Sequence, residues 1–312
     1  MKKALAILLA LLFSLPLTFL AASAGEGAPL RVVAVNFPAF DFTRVVAGDR
    51  AQVTMLLPTG AEAHSFEPSP RDLIALSKAD LLVYNGGVGE FWVQGLLDAL
   101  GKDAPATLRM IDAGEAVTEE IVEGMEEEEE EEEGAEEELD EHVWTSPLNA
   151  GLIASAIAGA LAELDPEGEA DYQVRLSAYL EELKSLDADF RALVSSAARR
   201  TFVLGDRFPM RYFAREYGLS YYAAFPGCST QTEPSARTLA FLTNKVRDEG
   251  IPVIFHIEFS NRKAAEVIAA ETGAAARLLH SAHNVTRAEL DGGASYLSIM
   301  RANLEALREA LN

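Results

Sequence analysis

One cysteine, Cys228, in 312 residues excludes an intrachain disulfide and any multi-cysteine zinc or iron–sulfur centre. Basic residues are also scarce: 26 Lys and Arg against 49 Asp and Glu leave a formal net charge of −23. A chain so poor in clustered cations is not a nucleic-acid binder, and it has no basic patch for an anionic membrane surface. There are five histidines, so a metal site would draw on a short list. Apolar residues are plentiful, at 49%, enough for one large domain or two medium ones.

The acidity is concentrated. Residues 119–141 carry sixteen acids and no Lys or Arg, including eight consecutive glutamates from Glu126 to Glu133. Removing those sixteen from −23 leaves −7, so the charge describes one insertion more than the fold. Like charges repel and apolar residues are few, so residues 118–141 are expected to form a disordered acidic loop.

Met1-Lys2-Lys3, the apolar run Ala4 to Leu20 and the small residues Ala22-Ser23-Ala24 read as a secretory signal over residues 1–24, cut before Gly25. The alternative is an uncleaved anchor. No cysteine lies nearby to carry a lipid, and no later segment reads as long and apolar enough to cross a membrane. The expectation is a periplasmic protein that is not lipid-anchored.

The mature chain alternates strand and helix patterns. Strands are expected at residues 30–35, 53–57, 79–84 and 108–111, with helices at 71–77 and 91–100. Ser146-Pro147 is a helix start, a capping hydroxyl followed by proline in the first turn; this helix should run to Leu164. From Pro166 to about Arg199, apolar residues recur at three- and four-residue steps, one helix of roughly 50 Å. Strands are expected again at 201–204, 221–225, 253–255 and 277–279, with helices at 207–217, 233–249, 263–272 and 295–311. This is an α/β architecture: two βα lobes, 25–165 and 200–312, each with a small, mostly parallel sheet, bridged by a stiff helix at 166–199. A cleft between the lobes is a usual place for a ligand.

In open α/β sheets ligands sit beyond the carboxyl ends of strands. His64 follows the second strand, and His142 precedes the helix start at Ser146. Asp206 follows the strand ending at Leu204. His280 closes the strand ending at Leu279, with His283 three residues on. Three imidazoles and a carboxylate make a tetrahedral zinc site. Each residue also has a plainer reading: a solvated loop histidine, a capping role for Asp206, an orienting role for His283 beside His280. His256, flanked by Phe255 and Ile257, reads as a core or sheet-face histidine.

Several stretches carry a family resemblance. They are Pro58-Thr59-Gly60-Ala61-Glu62-Ala63-His64-Ser65-Phe66-Glu67-Pro68, Asn85-Gly86 with Glu90 and Trp92, Glu141-His142-Val143-Trp144-Thr145-Ser146-Pro147, Arg211 to Leu219, Glu233-Pro234-Ser235-Ala236 and Tyr296 to Asn303. Over nearly the whole mature chain the sequence resembles the metal-specific solute-binding proteins of ABC importers, solute-binding protein family 9, the zinc and manganese group. The resemblance implies two α/β lobes on one long helix with a metal site in the interlobe cleft. It implies His64 and His142 as ligands. At the family's third-ligand place this chain has Arg207, which cannot ligate a cation; Asp206 is the expected substitute. The fourth ligand is expected at His280, with Glu62 and His283 as alternative or supporting residues. An imidazole in place of a carboxylate moves the site toward zinc, since manganese prefers oxygen donors.

The function this implies is extracytoplasmic capture of a divalent metal ion, Zn2+, for an ABC permease in the inner membrane, by a monomer that is not an enzyme. The alternatives are Mn2+ or Fe2+ as cargo, a zinc-dependent hydrolase, and a metal-stabilised surface adhesin. The hydrolase lacks an H-E-x-x-H motif. The glutamate run reads as a solvated loop or as a weak collector of cations near His142.

Overall fold

The computed structural model describes residues 28–62, 65–114, 117–118, 122–125, 139–227, 229 and 233–312. The N-terminal signal, His64, Cys228 and the glutamates between 126 and 138 lie outside the described residues.

The N-terminal lobe holds β1 (Leu30–Ala34), α1 (Phe37–Ala47), β2 (Ala51–Met55), α2 (Pro70–Leu76), β3 (Leu81–Tyr84), α3 (Trp92–Leu100), β4 (Ala106–Arg109) and α4 (Pro147–Leu164). Its four strands are parallel, in the order β2-β1-β3-β4. Val32, Val33, Leu82 and Val83 are buried, so both faces of the sheet are covered. That is why these strands read as unbroken apolar runs.

The spine is α5 (Glu169–Ser196), entered through a short 3-10 turn at Pro166–Gly168. Its 28 residues make a rod of about 42 Å. Tyr172, Leu176, Tyr179, Leu183, Leu186, Phe190 and Leu193 form its buried stripe, which lies against α1 and α4. Helix α4 corrects one expectation: by length and composition it is apolar enough to cross a membrane. It is a core helix here, with Ile153, Ala154, Ile157, Ala158 and Leu161 fully buried.

The C-terminal lobe holds β5 (Thr201–Phe208), α6 (Arg211–Tyr217), β6 (Ser220–Pro226), α7 (Ala236–Asp248), β7 (Val253–His256), α8 (Lys263–Thr272), β8 (Ala275–Leu278), α9 (Arg287–Asp291) and α10 (Tyr296–Leu311). Its parallel sheet runs β6-β5-β7-β8, the same order as the first. In each sheet the central strand lies between its two chain-order successors, so the chain switches direction there. The carboxyl ends of β1 and β3, and of β5 and β7, are therefore the natural ligand positions.

Several boundaries differ from the sequence reading. The second strand starts at Ala51, because Ala51 and Gln52 pair with Leu30 and Arg31. The fifth strand does not stop at Leu204: its register shifts, and Arg207 and Phe208 pair with Phe225 and Pro226. The eighth ends at Leu278, leaving His280 in the loop beyond. The acidic segment is ordered at both described edges. Thr118 bridges Leu139, Asp140 N–H donates to Val117 O at 2.9 Å, and Asp140 and Glu141 are buried.

Candidate metal centre

His142 stands just before a short 3-10 turn at Val143–Thr145, which leads into α4. Ser146 caps that helix, its hydroxyl accepting from Asn149 N–H, as the Ser-Pro pair predicts. The His142 ring is buried, and Asp140 orients it: one carboxylate oxygen, Oδ1, accepts from the His142 backbone N–H at 2.8 Å and faces Nδ1 at 3.0 Å. A proton on Nδ1 leaves Nε2 as the lone-pair donor, the carboxylate–histidine arrangement of metal sites. Burial pushes Asp140 up, but the His142 ring and the Arg211 guanidinium outweigh it and hold the carboxyl below its ordinary value. Arg211 Nε lies 3.3 Å from Asp140 Oδ2, and the Tyr212 hydroxyl donates to the Asp140 carbonyl at 2.9 Å. Both come from α6, so C-lobe residues hold an N-lobe ligand in place. Gly227 approaches so closely that a Cβ there would meet the His142 ring at 3.1 Å and Phe208 O at 2.8 Å.

His283 meets this ring from the loop after β8. Its centroid is 5.6 Å from that of His142 and 4.9 Å from that of Trp144. The loop is stitched to the N-terminal lobe. Phe37 N–H donates to His283 O, and Gly60 N–H to Val285 O. Asn284 Nδ2 donates to Pro58 O and Ala61 O, each at 2.8 Å, and Trp144 Nε1–H donates to Ser281 O at 2.8 Å. Glu258, just beyond β7, gathers the loop from below, accepting from Ser281 N–H and Oγ–H and from His283 N–H. His142, His283, Glu62, Glu258 and Arg207 line one cavity of about 20 Å³ between the lobes, room for little more than one water-sized group.

The expected set assembles only in part. His142 lies in the cleft. Asp206 is turned away: its Oδ1 accepts from Arg207 N–H at 2.9 Å and its Oδ2 from Ile257 N–H at 3.3 Å. Neighbouring strand residues point to opposite faces, and it is Arg207 that faces the cleft. His280 is also turned away. Its Nδ1 accepts from Ala282 N–H at 2.9 Å, and the residue lines a different cavity, of about 330 Å³, with Glu289 and Asn303. The structure thus pairs His142 with His283, not with His280. Glu62 is in the cleft, and His256, at the end of β7, is buried. Sequence reasoning passed over Asp140 as the orienting group and Glu258 as the loop anchor. The Asp-x-His spacing was readable; Glu258 became relevant only through the fold. Among the described residues no three His, Cys, Asp or Glu side chains already stand as a formed ion-binding group.

Behind the cleft Glu90 is buried, its carboxylate accepting from Asn85 N–H, Gly86 N–H and Asn36 Nδ2. Burial, with Glu141 nearby, pushes it up to about 8 despite those donors.

The family described as "ZnuA: Zinc-uptake complex component A periplasmic" matches residues 32–310. The "High-affinity zinc uptake system protein ZnuA" of Bacillus subtilis is 33% identical over 286 residues, 92% of this chain and 89% of that protein. The "Zinc-binding lipoprotein AdcA" of Streptococcus pneumoniae is 33% identical over 315 residues; the alignment takes in 99% of this chain but only 61% of that longer protein. Among solved structures, the Zn(II)-bound ZnuA-like domain of Streptococcus pneumoniae AdcA superposes with a TM-score of 0.75 at 31% identity, over 91% of this chain and 99% of that one. The laminin-binding protein of Streptococcus agalactiae, described as bifunctional with adhesin and metal-transporting activity, gives 0.76 at 29% identity, over 91% and 100%. With the strand order, the spine helix and the interlobe histidines in place, the chain belongs to the ZnuA family of periplasmic zinc-uptake components.

Proposed function

We propose that this protein captures Zn2+ outside the cytoplasm and delivers it to an ABC-type permease in the inner membrane. The observation that carries the reading is the facing pair His142 and His283, one ring oriented by a buried carboxylate. His64, from the first sequence motif, completes three imidazole donors, and a carboxylate of the cleft supplies the fourth. His283 takes the place first expected for His280, and Asp206 serves the backbone of β5 and β7. Imidazole-rich donors favour zinc over manganese.

The protein acts as a carrier and not a hydrolase. Among the described residues the cleft of about 20 Å³ is matched in size to an ion. It works as a monomer, exported by its N-terminal signal. The sole cysteine at position 228 argues for a free periplasmic form without a lipid anchor. The ligating imidazoles must be neutral, so affinity falls as the solution is acidified.

The test is a competition titration of zinc against manganese on the metal-stripped protein. One tight zinc site that manganese does not displace is the expected result. His283→Ala should abolish tight binding, while His280→Ala should retain it. Equal losses, or a wild-type protein that takes neither metal, would overturn the reading.

A further inference from the structure

Among the described residues that line the cleft, one carries a guanidinium. Arg207, next to last in the strand β5, lines the cleft with its side chain only 11% exposed. By the resemblance, this position belongs to a metal ligand. A guanidinium cannot ligate and would repel a metal ion if left unopposed. It is opposed: Arg207 Nη1 donates to Glu62 Oε1 at 3.1 Å. The other carboxylate oxygen, Glu62 Oε2, accepts from Ser65 N–H at 3.1 Å. Glu62 is therefore bracketed, by a backbone donor of its own loop on one side and by the opposite lobe on the other. Each oxygen accepts one of these bonds and keeps a second lone pair.

We propose that Arg207 is a positioning residue that presents Glu62 as the carboxylate ligand of the captured cation. One donor at position 207 is thereby replaced by a cross-lobe pair. Three points support this. The two charges cancel, so the pair adds no net repulsion to an incoming cation. A ligating carboxylate is ordinarily held by a hydrogen bond from outside the coordination sphere, and Arg207 supplies one. Finally, Asn284 Nδ2 donates to the carbonyl of the neighbouring Ala61, so the C-terminal lobe holds this loop by its backbone as well as by the Glu62 side chain. An oxygen donor in this position makes the site more tolerant of manganese than an all-imidazole set.

This inference rests on the metal-capture reading, and its test separates the two. Zinc affinity and the zinc-to-manganese ratio would be measured for wild type, Glu62→Gln, Arg207→Ala, Arg207→Lys, Arg207→His and the double variant Glu62→Gln/Arg207→His. The visible spectrum of the Co2+ form reports the ligand set directly. Glu62→Gln should weaken zinc roughly 10–100-fold and change the Co2+ spectrum. Arg207→Ala should weaken it about 10-fold, with Arg207→Lys recovering part of the loss. Arg207→His should raise the zinc preference, and Glu62→Gln should then have little further effect. An unchanged affinity and Co2+ spectrum in Glu62→Gln would show that Glu62 is not a ligand. Tighter binding in Arg207→Ala would show that Arg207 only repels. Either result overturns the proposal while leaving zinc capture standing; loss of zinc binding by the wild type would instead remove the function itself. Glu62 is one-third exposed, so Glu62→Gln should fold even if the Arg207 variants do not.

Discussion

The two lobes share one strand order but bring their histidines to the cleft by different means. On the N-terminal side, His142 is locked by buried charge: Asp140 against the ring, Arg211 against Asp140. On the C-terminal side, His283 rides on a loop held by hydrogen bonds to the other lobe, through Asn284, Val285 and the Trp144 indole. Both networks cross between the lobes, but one rests on a buried ion pair and the other on neutral hydrogen bonds. A small tilt about α5 would load both networks, and the neutral hydrogen bonds on the His283 side are the weaker of the two.

The sharpest way to break the comparison is Asp140→Asn. It removes the carboxylate charge that faces both the His142 ring and the Arg211 guanidinium, which should destabilise the fold by about 3–5 kcal/mol and weaken zinc by roughly 10–100-fold. Chemical denaturation and metal titration measure the two separately. A stability loss without an affinity loss would mean that Asp140 holds Arg211 and not the ring.

Next comes the pH dependence carried by Glu90, a buried carboxyl on the N-terminal side. Its folded value near 8 lies above the ordinary 4.5, so the folded state keeps a proton that the unfolded chain releases. Its contribution is complete below about pH 4.5 and is lost as pH rises toward 8, with a slope of about 1.4 kcal/mol per pH unit. Glu90→Gln should flatten that part of the stability–pH curve; an unaltered curve would refute the assignment.

The C-terminal side should respond more gently. Asn284→Ala removes two hydrogen bonds to carbonyls of the 58–61 loop and should lower stability by about 1–3 kcal/mol. Its signature should be faster zinc release, read by stopped-flow exchange into a chelator. Trp144→Phe removes one indole donor to Ser281 O together with buried ring volume, and should cost about 1–3 kcal/mol. If these two variants slow release, the loop is not the moving half of the site.

Much of the architecture was legible along the chain. The alternation of apolar strands with helical patterns, the Ser146-Pro147 start and the stripe from Tyr172 to Leu193 are local patterns, and local patterns follow from backbone geometry and burial. The site was legible only in outline. Asp206 and Arg207 are adjacent, and a strand turns neighbours to opposite faces, so the register shift in β5 decided which one met the cleft. His280 and His283 are three residues apart in one loop. Which ring turned inward depended on Glu258, Asn303 and the carbonyls of the opposite lobe, all distant in sequence. The acid-rich segment read as uniformly solvated, yet its last two acids, Asp140 and Glu141, are buried.

The sequence by itself determined the α/β class, the two-lobe layout, the spine helix and the short list of donors, because periodicity, capping and residue chemistry are written locally. Only the tertiary structure decided that His283 faces His142, that Asp140 orients it and that Arg207 reaches Glu62 across the cleft. Those contacts join residues from 2 to 145 positions apart, and side-chain direction at such range is set by how the two lobes pack on α5.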